Sequence, residues 1–404
     1  MKFTPWKTMT TGSTIIVGLN SALQKRFILP PDDHLVPGNV HRARSVQLGV
    51  GGKGQDVAVT LTCLQYSGSL KLAQFVGSGA EGDAVYRMLV DLMGDDAMQL
   101  TVRPAGGMRT CTSIVAANST TELVEPSDLI EESEVAELMS KLSAETTCSA
   151  LCFSGSMPPG CPVDTYASIY DIVAGDHTIC LIDTVVGLPE LLRAISLKQR
   201  HGQTMLKINA SELCRLAGVK TTGAETSGIS SQEIMTAIKA FLCQHKPYAQ
   251  QALSAIAITD GAHPAYLATM PVAAENEFRI FQIPVTNLLT EKRPLPWETW
   301  SRGSSTTLYP IGAGDAVAAG TLAAWKCLSS DDQQSSSLPP ELSAVLQDDR
   351  VPSTRALLSA FSFGLACGTA SCLQEQNSVL KPQDVLHFFN RGGRPAFLAC
   401  DVIC

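Results

Sequence analysis

A layered α/β fold built on a largely parallel sheet is what this sequence predicts, and three observations predict it. Short apolar runs alternate with amphipathic helical stretches along most of the chain. Most of those runs end in a polar or glycine turn, where α/β proteins place ligand-binding groups. With 404 residues, 45% of them hydrophobic, the chain can bury a full core. We read residues 1–404 as a single domain.

The predicted strands are 14–19, 72–76, 150–154, 179–183, 205–208 and 255–259, each a run of apolar or β-branched residues bounded by turn signals. Helical spacing recurs over 54–65, 83–93, 131–144, 165–174, 210–217 and 232–243. Residues 27–30, 41–50 and 110–117 alternate without intervening helices. They predict an antiparallel flap, a small β-sheet lid over the site, drawn from about 20–50 and 106–125. Two stretches read as loop insertions: 287–307, rich in Pro, Trp and Ser, and 329–353, with a Gln/Ser run and two prolines. No internal repeat is present.

Composition excludes several classes. Net charge is −8 with a pI near 5.4, and no Lys/Arg run stands out, which argues against a nucleic-acid surface and for a small ligand. No apolar stretch approaches membrane-spanning length, so no membrane partner is expected. Residues 1–12 lack the apolar core of a secretory signal, and a strand pattern begins at Thr14, so a cytoplasmic protein is expected. The thirteen cysteines are scattered without the C-x2-C spacing of zinc sites, and most sit in apolar runs, which points to a reduced interior.

The most informative stretch is Ile311-Gly312-Ala313-Gly314-Asp315, followed by Ala316-Val317-Ala318-Ala319-Gly320. A glycine turn exposes backbone N–H groups, and the helix that follows adds the positive end of its dipole, so an anion is the natural guest. A carboxylate at Asp315 would repel that guest unless it takes a proton from a hydroxyl that attacks phosphorus. The plain alternative is a tight turn with Asp at a helix N-terminus. Gly49-Val50-Gly51-Gly52-Lys53-Gly54-Gln55-Asp56 is a second glycine turn opening a helix, with a lysine, and lacks the Walker spacing. Ser154-Gly155-Ser156-Met157-Pro158-Pro159-Gly160 is a rigid loop that can present serine hydroxyls. Lys207-Ile208-Asn209-Ala210-Ser211-Glu212 reads from its spacing as a capping box, with Mg²⁺ and its waters as the alternative. Thr259-Asp260-Gly261 leads into a hairpin, a turn able to hold a nucleotide's edge. Arg109 enters a flap strand, and its guanidinium suits phosphate or carboxylate.

In this order, with Leu19-Asn20-Ser21-Ala22-Leu23 ahead of them, these segments resemble the ribokinase-like, or PfkB, carbohydrate kinases. The branch most resembled contains 1-phosphofructokinase and tagatose-6-phosphate kinase, and the similarity runs from about 14 to about 390. The resemblance implies a doubly wound sheet flanked by helices with a β-lid, and ATP-dependent phosphorylation of a sugar hydroxyl. It implies that Asp315 is the base and that Gly312, Ala313 and Gly314 form its anion hole. Lys53, with Arg109, would meet a phosphate already on the substrate, and Asn20, Gly51, Gly52 and Ser154 would complete the sugar site. Lys207, Asn209, Thr259 and Gly261 would lie beside ATP, and Asn209 with Glu212 would organise Mg²⁺ through water.

The departures from that pattern sit at the sugar end. Gln24 stands where the branch carries a sugar-binding aspartate, and an amide donates hydrogen bonds as well as accepting them. Asp56 stands where asparagine is common, and Tyr309-Pro310 replace a polar pair. The expected acceptor is a ketohexose phosphate. A free sugar or nucleoside, or an inactive kinase fold that only binds, are the alternatives. A homodimer through the flap is a further expectation, since exposed strand edges often pair between subunits.

Overall fold

The computed structural model describes residues 12–116, 119–145, 148–198, 204–221, 228–271, 278–288, 308–329, 337–346 and 354–398. Its strands are β1 (Ser13–Asn20), β2 (Ala22–Ile28), β3 (Ser45–Gly51), β4 (Leu70–Phe75) and β5 (Thr101–Val102). Then come β6 (Thr110–Val115), β7 (Thr120–Val124), β8 (Cys148–Ser154), β9 (Ala174–Asp183) and β10 (Thr204–Asn209). The C-terminal part adds β11 (Ala255–Thr259), β12 (Ala265–Thr269), β13 (Arg279–Ile283) and β14 (Ala396–Leu398).

Ten strands form the main sheet in the order β14-β13-β12-β11-β10-β9-β8-β1-β4-β5. Pairing is parallel from β5 through β11 and antiparallel from β11 to β14. The six strands read from the sequence are β1, β4, β8, β9, β10 and β11. Those missed are short, antiparallel or at an edge, where no long apolar run marks them. Between β4 and β8 the chain order reverses around β1, the switch point where open α/β sheets leave a crevice beyond their strand ends.

Period-two alternation assigns each strand's side chains to the two helical layers. Ile15, Val17, Leu151, Phe153, Ile182 and Ile208 enter one core, with the helices Thr165–Val173, Leu188–Leu197 and Ser231–Gln244. Ile16, Ala150, Cys152, Leu181 and Met205 enter the other, with the helices Lys53–Cys63, Ala313–Leu328 and Thr354–Ser371. Asp183 and Lys207 continue this second set at even spacing, so the strands aim them toward the head of the Ala313–Leu328 helix.

The flap is a separate four-stranded sheet, β3-β2-β6-β7. The expected all-antiparallel pairing is corrected: β2 and β6 run parallel, while β2–β3 and β6–β7 are antiparallel. The segment joining β2 to β6 carries β4 and β5 of the main sheet, so β6 re-enters the flap in the direction of β2 rather than by a hairpin. Of the expected insertions, residues 289–307, 330–336 and 347–353 lie outside the described residues. Within the second, the helix Pro340–Ala344 contributes Leu342 to the core, with Leu338 and Leu346 beside it.

The helices Ala313–Leu328 and Thr354–Ser371 pack closely because glycines face the contact. A Cβ at Gly364 would land on the Thr321 hydroxyl and the Val317 carbonyl, and one at Gly320 would stand 2.5 Å from Cys367 Sγ. Gly364→Val is therefore expected to lower the melting temperature, since overpacking costs about 1–3 kcal/mol. An unchanged thermal transition would show that the helices separate freely.

Candidate active site

Strand ends supply one wall of the site. In the β8–β9 register Ser154 pairs with Asp183, and the β9–β10 register runs to Ile182 and Leu206, so Asp183 and Lys207 follow as neighbours. Lys207 Nζ contacts the two Asp183 carboxylate oxygens at 3.2 and 3.1 Å, with both side chains buried. Ser154 Oγ beside them is buried without a hydrogen-bond partner. Asp183 is the residue that sequence reading missed. Its signal is a lone acid closing an apolar strand in register with a lysine.

The glycine turn supplies the opposite wall. Gly312 takes φ +81°, a left-handed conformation that favours glycine, and caps the Ala313–Leu328 helix. Ser378 Oγ donates to the Gly312 carbonyl at 2.9 Å, and Thr60 Oγ1 donates to the Ser378 carbonyl at 2.7 Å. The helix Lys53–Cys63 thus props the turn from below. The Ala313 N–H donates to the Pro310 carbonyl at 3.1 Å, so the first amides of the helix left for an anion are those of Gly314 and Asp315. Lys207 Nζ lies against the same turn, 3.2 Å from where a Cβ at Gly314 would stand.

Asp315 closes the cluster and is only 8% exposed. Burial pushes its carboxyl up to about 7, with repulsion from Asp183 adding to the rise and Lys53 and Lys207 opposing it. Lys53 responds the other way: attraction to Asp183, Asp315 and Glu212 raises its ammonium above the ordinary value against the effect of burial. Its Nζ stands 3.9 Å from Glu212 Oε1.

Two cavities open on this cluster, one at Lys53 and one at Gly314, and Asp315 itself lines neither. One, of about 210 Å³, is lined by Asn20, Lys53, Arg109, Ser154, Ser156 and Glu212, among others. The other, of about 660 Å³, is lined by Thr259, Gly261, Leu288, Ala313, Gly314 and Cys372, among others. Asn20 is held by Ser127 and Ser156 at 2.7 and 2.9 Å. Arg109 spends two N–H groups on the carbonyls of Ser21 and Asn20, at 3.1 and 2.8 Å. Asn209 and Glu212 form the capping box: the Glu212 N–H donates to Asn209 Oδ1 at 2.8 Å, and the Asn209 N–H to Glu212 Oε2 at 3.2 Å.

The flap covers this arrangement with a polar inner surface. Gln24 Nε2 donates to Ser113 Oγ at 2.7 Å in a buried contact, and Gly51 packs on the Gln24 amide. Asp56, in the first turn of the helix capped by Gly52, is buried with Oδ1 unpartnered. Burial and repulsion from Asp315 hold its carboxyl well above the usual range. It makes no ion pair with Lys53.

A carboxyl poised near neutrality, two ammonium groups and two open helix-head amides between a small polar cavity and a larger, more apolar one can serve transfer of an anionic group to a hydroxyl. Residues 20–289 match the model of the pfkB family carbohydrate kinases. The chain belongs to the PfkB family. It is an ATP-dependent carbohydrate kinase, a phosphotransferase with an alcohol group as acceptor. Among solved structures, phosphofructokinase-2 from Escherichia coli, in complex with potassium, is 18% identical with a TM-score of 0.61, covering 94% of this chain and 99% of that one. A protein from Thermotoga maritima described as a possible 1-phosphofructokinase is 14% identical with a TM-score of 0.60, over 96% and 100%. Ribokinase from the same organism is 14% identical with a TM-score of 0.57, over 94% and 99%. At these identities the likeness is one of fold. No helix among the described residues of this PfkB protein is long and apolar enough to cross a membrane.

The raised Asp315 carboxyl links stability to pH. Its folded value near 7 lies above the ordinary 3.8, so its favourable contribution is complete below the unfolded value and is lost as pH rises through 7. Asp315→Asn is expected to gain thermal stability over the natural protein as pH rises from 5 to 7, with no further gain above that. A difference in melting temperature that stays constant over that range would contradict the burial argument.

Proposed function

We propose that this PfkB kinase transfers the γ-phosphoryl group of ATP to a hydroxyl of a ketohexose phosphate, with Asp315 as the proton acceptor. The observation that carries this reading is the buried Asp315 carboxyl at the head of a helix, flanked by Lys53 and Lys207, with a titration near 7. The acceptor hydroxyl gives its proton to the carboxylate, its oxygen bonds to the γ-phosphorus, and the bond to the ADP oxygen breaks. Charge developing on the phosphoryl oxygens meets the Gly314 and Asp315 amides, and Gly312 holds the turn in shape.

The larger cavity, with Thr259 and Gly261 on its wall, is the place for ATP. Among the described residues no group of three or more acidic, His or Cys side chains could cage a metal. That suits Mg²⁺, which keeps its waters and is carried largely by the phosphates. Glu212 fits as its contact through water, because Oε1 has only the long approach to Lys53. When bound, the ion neutralises triphosphate charge.

Lys53 is the group for a phosphate already on the acceptor. The free-sugar alternative gains support from Arg109, whose N–H groups are partly spent on backbone carbonyls. The outer face of the flap exposes Val46, Leu48 and Leu123, which supports pairing with a second copy.

Turnover is expected to fall about 10²–10⁴-fold in Asp315→Asn, and kcat/KM of the natural enzyme to rise with pH through about 7. Turnover that survives the substitution would remove Asp315 as the base. In the same assay Lys53→Ala is expected to raise KM for phosphorylated sugars selectively, and an unchanged KM would favour a free sugar. Light scattering on Leu48→Glu with Leu123→Glu is expected to give a monomer where the natural chain is a dimer; an unaltered mass would place the interface elsewhere or show that there is none.

A further inference from the structure

Beneath the flap lies a set of buried polar groups that the proposed chemistry leaves unused. The registers place Gln47, Arg26, Ser113 and Glu122 in one row across β3, β2, β6 and β7. Arg26 is the centre of this row and is 3% exposed. Its Nε and Nη1 are buried with no hydrogen-bond partner. The guanidinium lies 5.9 Å from the centre of the Tyr309 ring, which provides a face and no acceptor. An arginine without acceptors in a desolvated place is costly unless something anionic arrives.

The surroundings define what that is. Arg26 is faced by Asp56, Tyr309, Glu122 and Glu375. Glu375 is already occupied by Gln47 at 2.6 Å, Tyr309 at 3.2 Å and Arg44 at 3.7 Å, and Glu122 stands at the exposed flap edge. Asp56 is 5% exposed and keeps Oδ1 unpartnered. It lies close enough to attract the guanidinium without reaching ion-pair distance. Buried donors without acceptors and a buried acceptor without a donor thus attract each other without pairing.

We propose that Arg26 and Asp56 form an oxyanion subsite under the flap, taking a carboxylate or phosphate that neighbours a hydroxyl on the acceptor. The oxyanion accepts from Arg26, and the adjacent hydroxyl meets Asp56. The subsite is separate from the cavity that Lys53 shares with Asn20 and Arg109, since neither Arg26 nor Asp56 lines it. Asp56 is acted on by both Asp315 and Arg26, which links the subsite electrostatically to the proton acceptor. The inference rests on the kinase reading in one respect, that the acceptor enters between flap and sheet. It makes Arg26 a specificity-determining residue that selects acidic or phosphorylated sugars over neutral ones.

Calorimetric titration of the full chain with inorganic phosphate and with gluconate, in the absence of ATP, tests the subsite apart from catalysis. At least one probe is expected to bind, with affinity falling about 10–100-fold in Arg26→Gln and less in Arg26→Lys. Stronger gluconate binding identifies a carboxylate as the natural group, and stronger phosphate binding a phosphate. The melting temperature of Arg26→Gln without ligand is expected to match or exceed that of the natural chain, because no hydrogen bond is lost. Probe affinities independent of Arg26, or no binding at all, would overturn the proposal. So would an unfolded Arg26→Gln beside an Arg26→Lys that binds as the natural chain does. A chain that binds a probe through Arg26 yet turns over no acceptor would uphold the subsite and overturn the kinase reading alone.

Discussion

The contact on which the rest of the site depends is the buried ion pair between Lys207 and Asp183. Taking two such charges out of water costs several kcal/mol each, and their attraction offsets this only when the geometry is good. Here parallel strand register supplies the geometry: the two residues are the next pair after Ile182 and Leu206. Their worth lies in what they hold. The ammonium fixes its distance to the Gly314 backbone, and the Asp183 carboxylate raises both Lys53 and Asp315. Asp183 acts on both Lys53 and Asp315, and Lys207 acts on Asp315, so altering either member of the pair changes the field at the Asp315 carboxyl.

Around that cluster the fold divides labour between a rigid sheet and a flap tied to it at specific points. The main sheet brings five strand ends to one edge, and the helix heads bring open amides to the same place. The flap turns exposed apolar residues outward and Gln24, Arg26 and Ser113 inward. Its β3 edge is joined through Gln47 and Arg44 to Glu375, which also takes the Tyr309 hydroxyl just ahead of the glycine turn. The same contacts that position the flap also anchor the approach to Asp315.

Sequence patterns were most legible where chemistry and local structure coincide. The glycine turn before Asp315, the glycine-lysine turn at Lys53 and the strand-end position of Lys207 follow from spacing and end up around one cluster. The Asn209–Glu212 spacing was legible as a capping box, and that is what the backbone forms. Asp183, Arg26 and Glu122 were not legible. Asp183 is a lone acid closing an apolar strand, and Arg26 and Glu122 sit among other polar residues of the flap, a pattern that ordinarily marks a solvated face.

By itself the sequence determined the layered α/β class, the family it resembles, and the glycine turns with Lys53 and Asp315, because periodicity, backbone freedom and helix-head chemistry are local properties. Only the tertiary structure decided that β2 and β6 run parallel, that Lys207 pairs with Asp183, and that Arg26 and Asp56 confront each other without pairing. The physical reason is that burial and electrostatic partnership arise between strands far apart in the chain, and no spacing within one segment encodes which charges will share a dry interior.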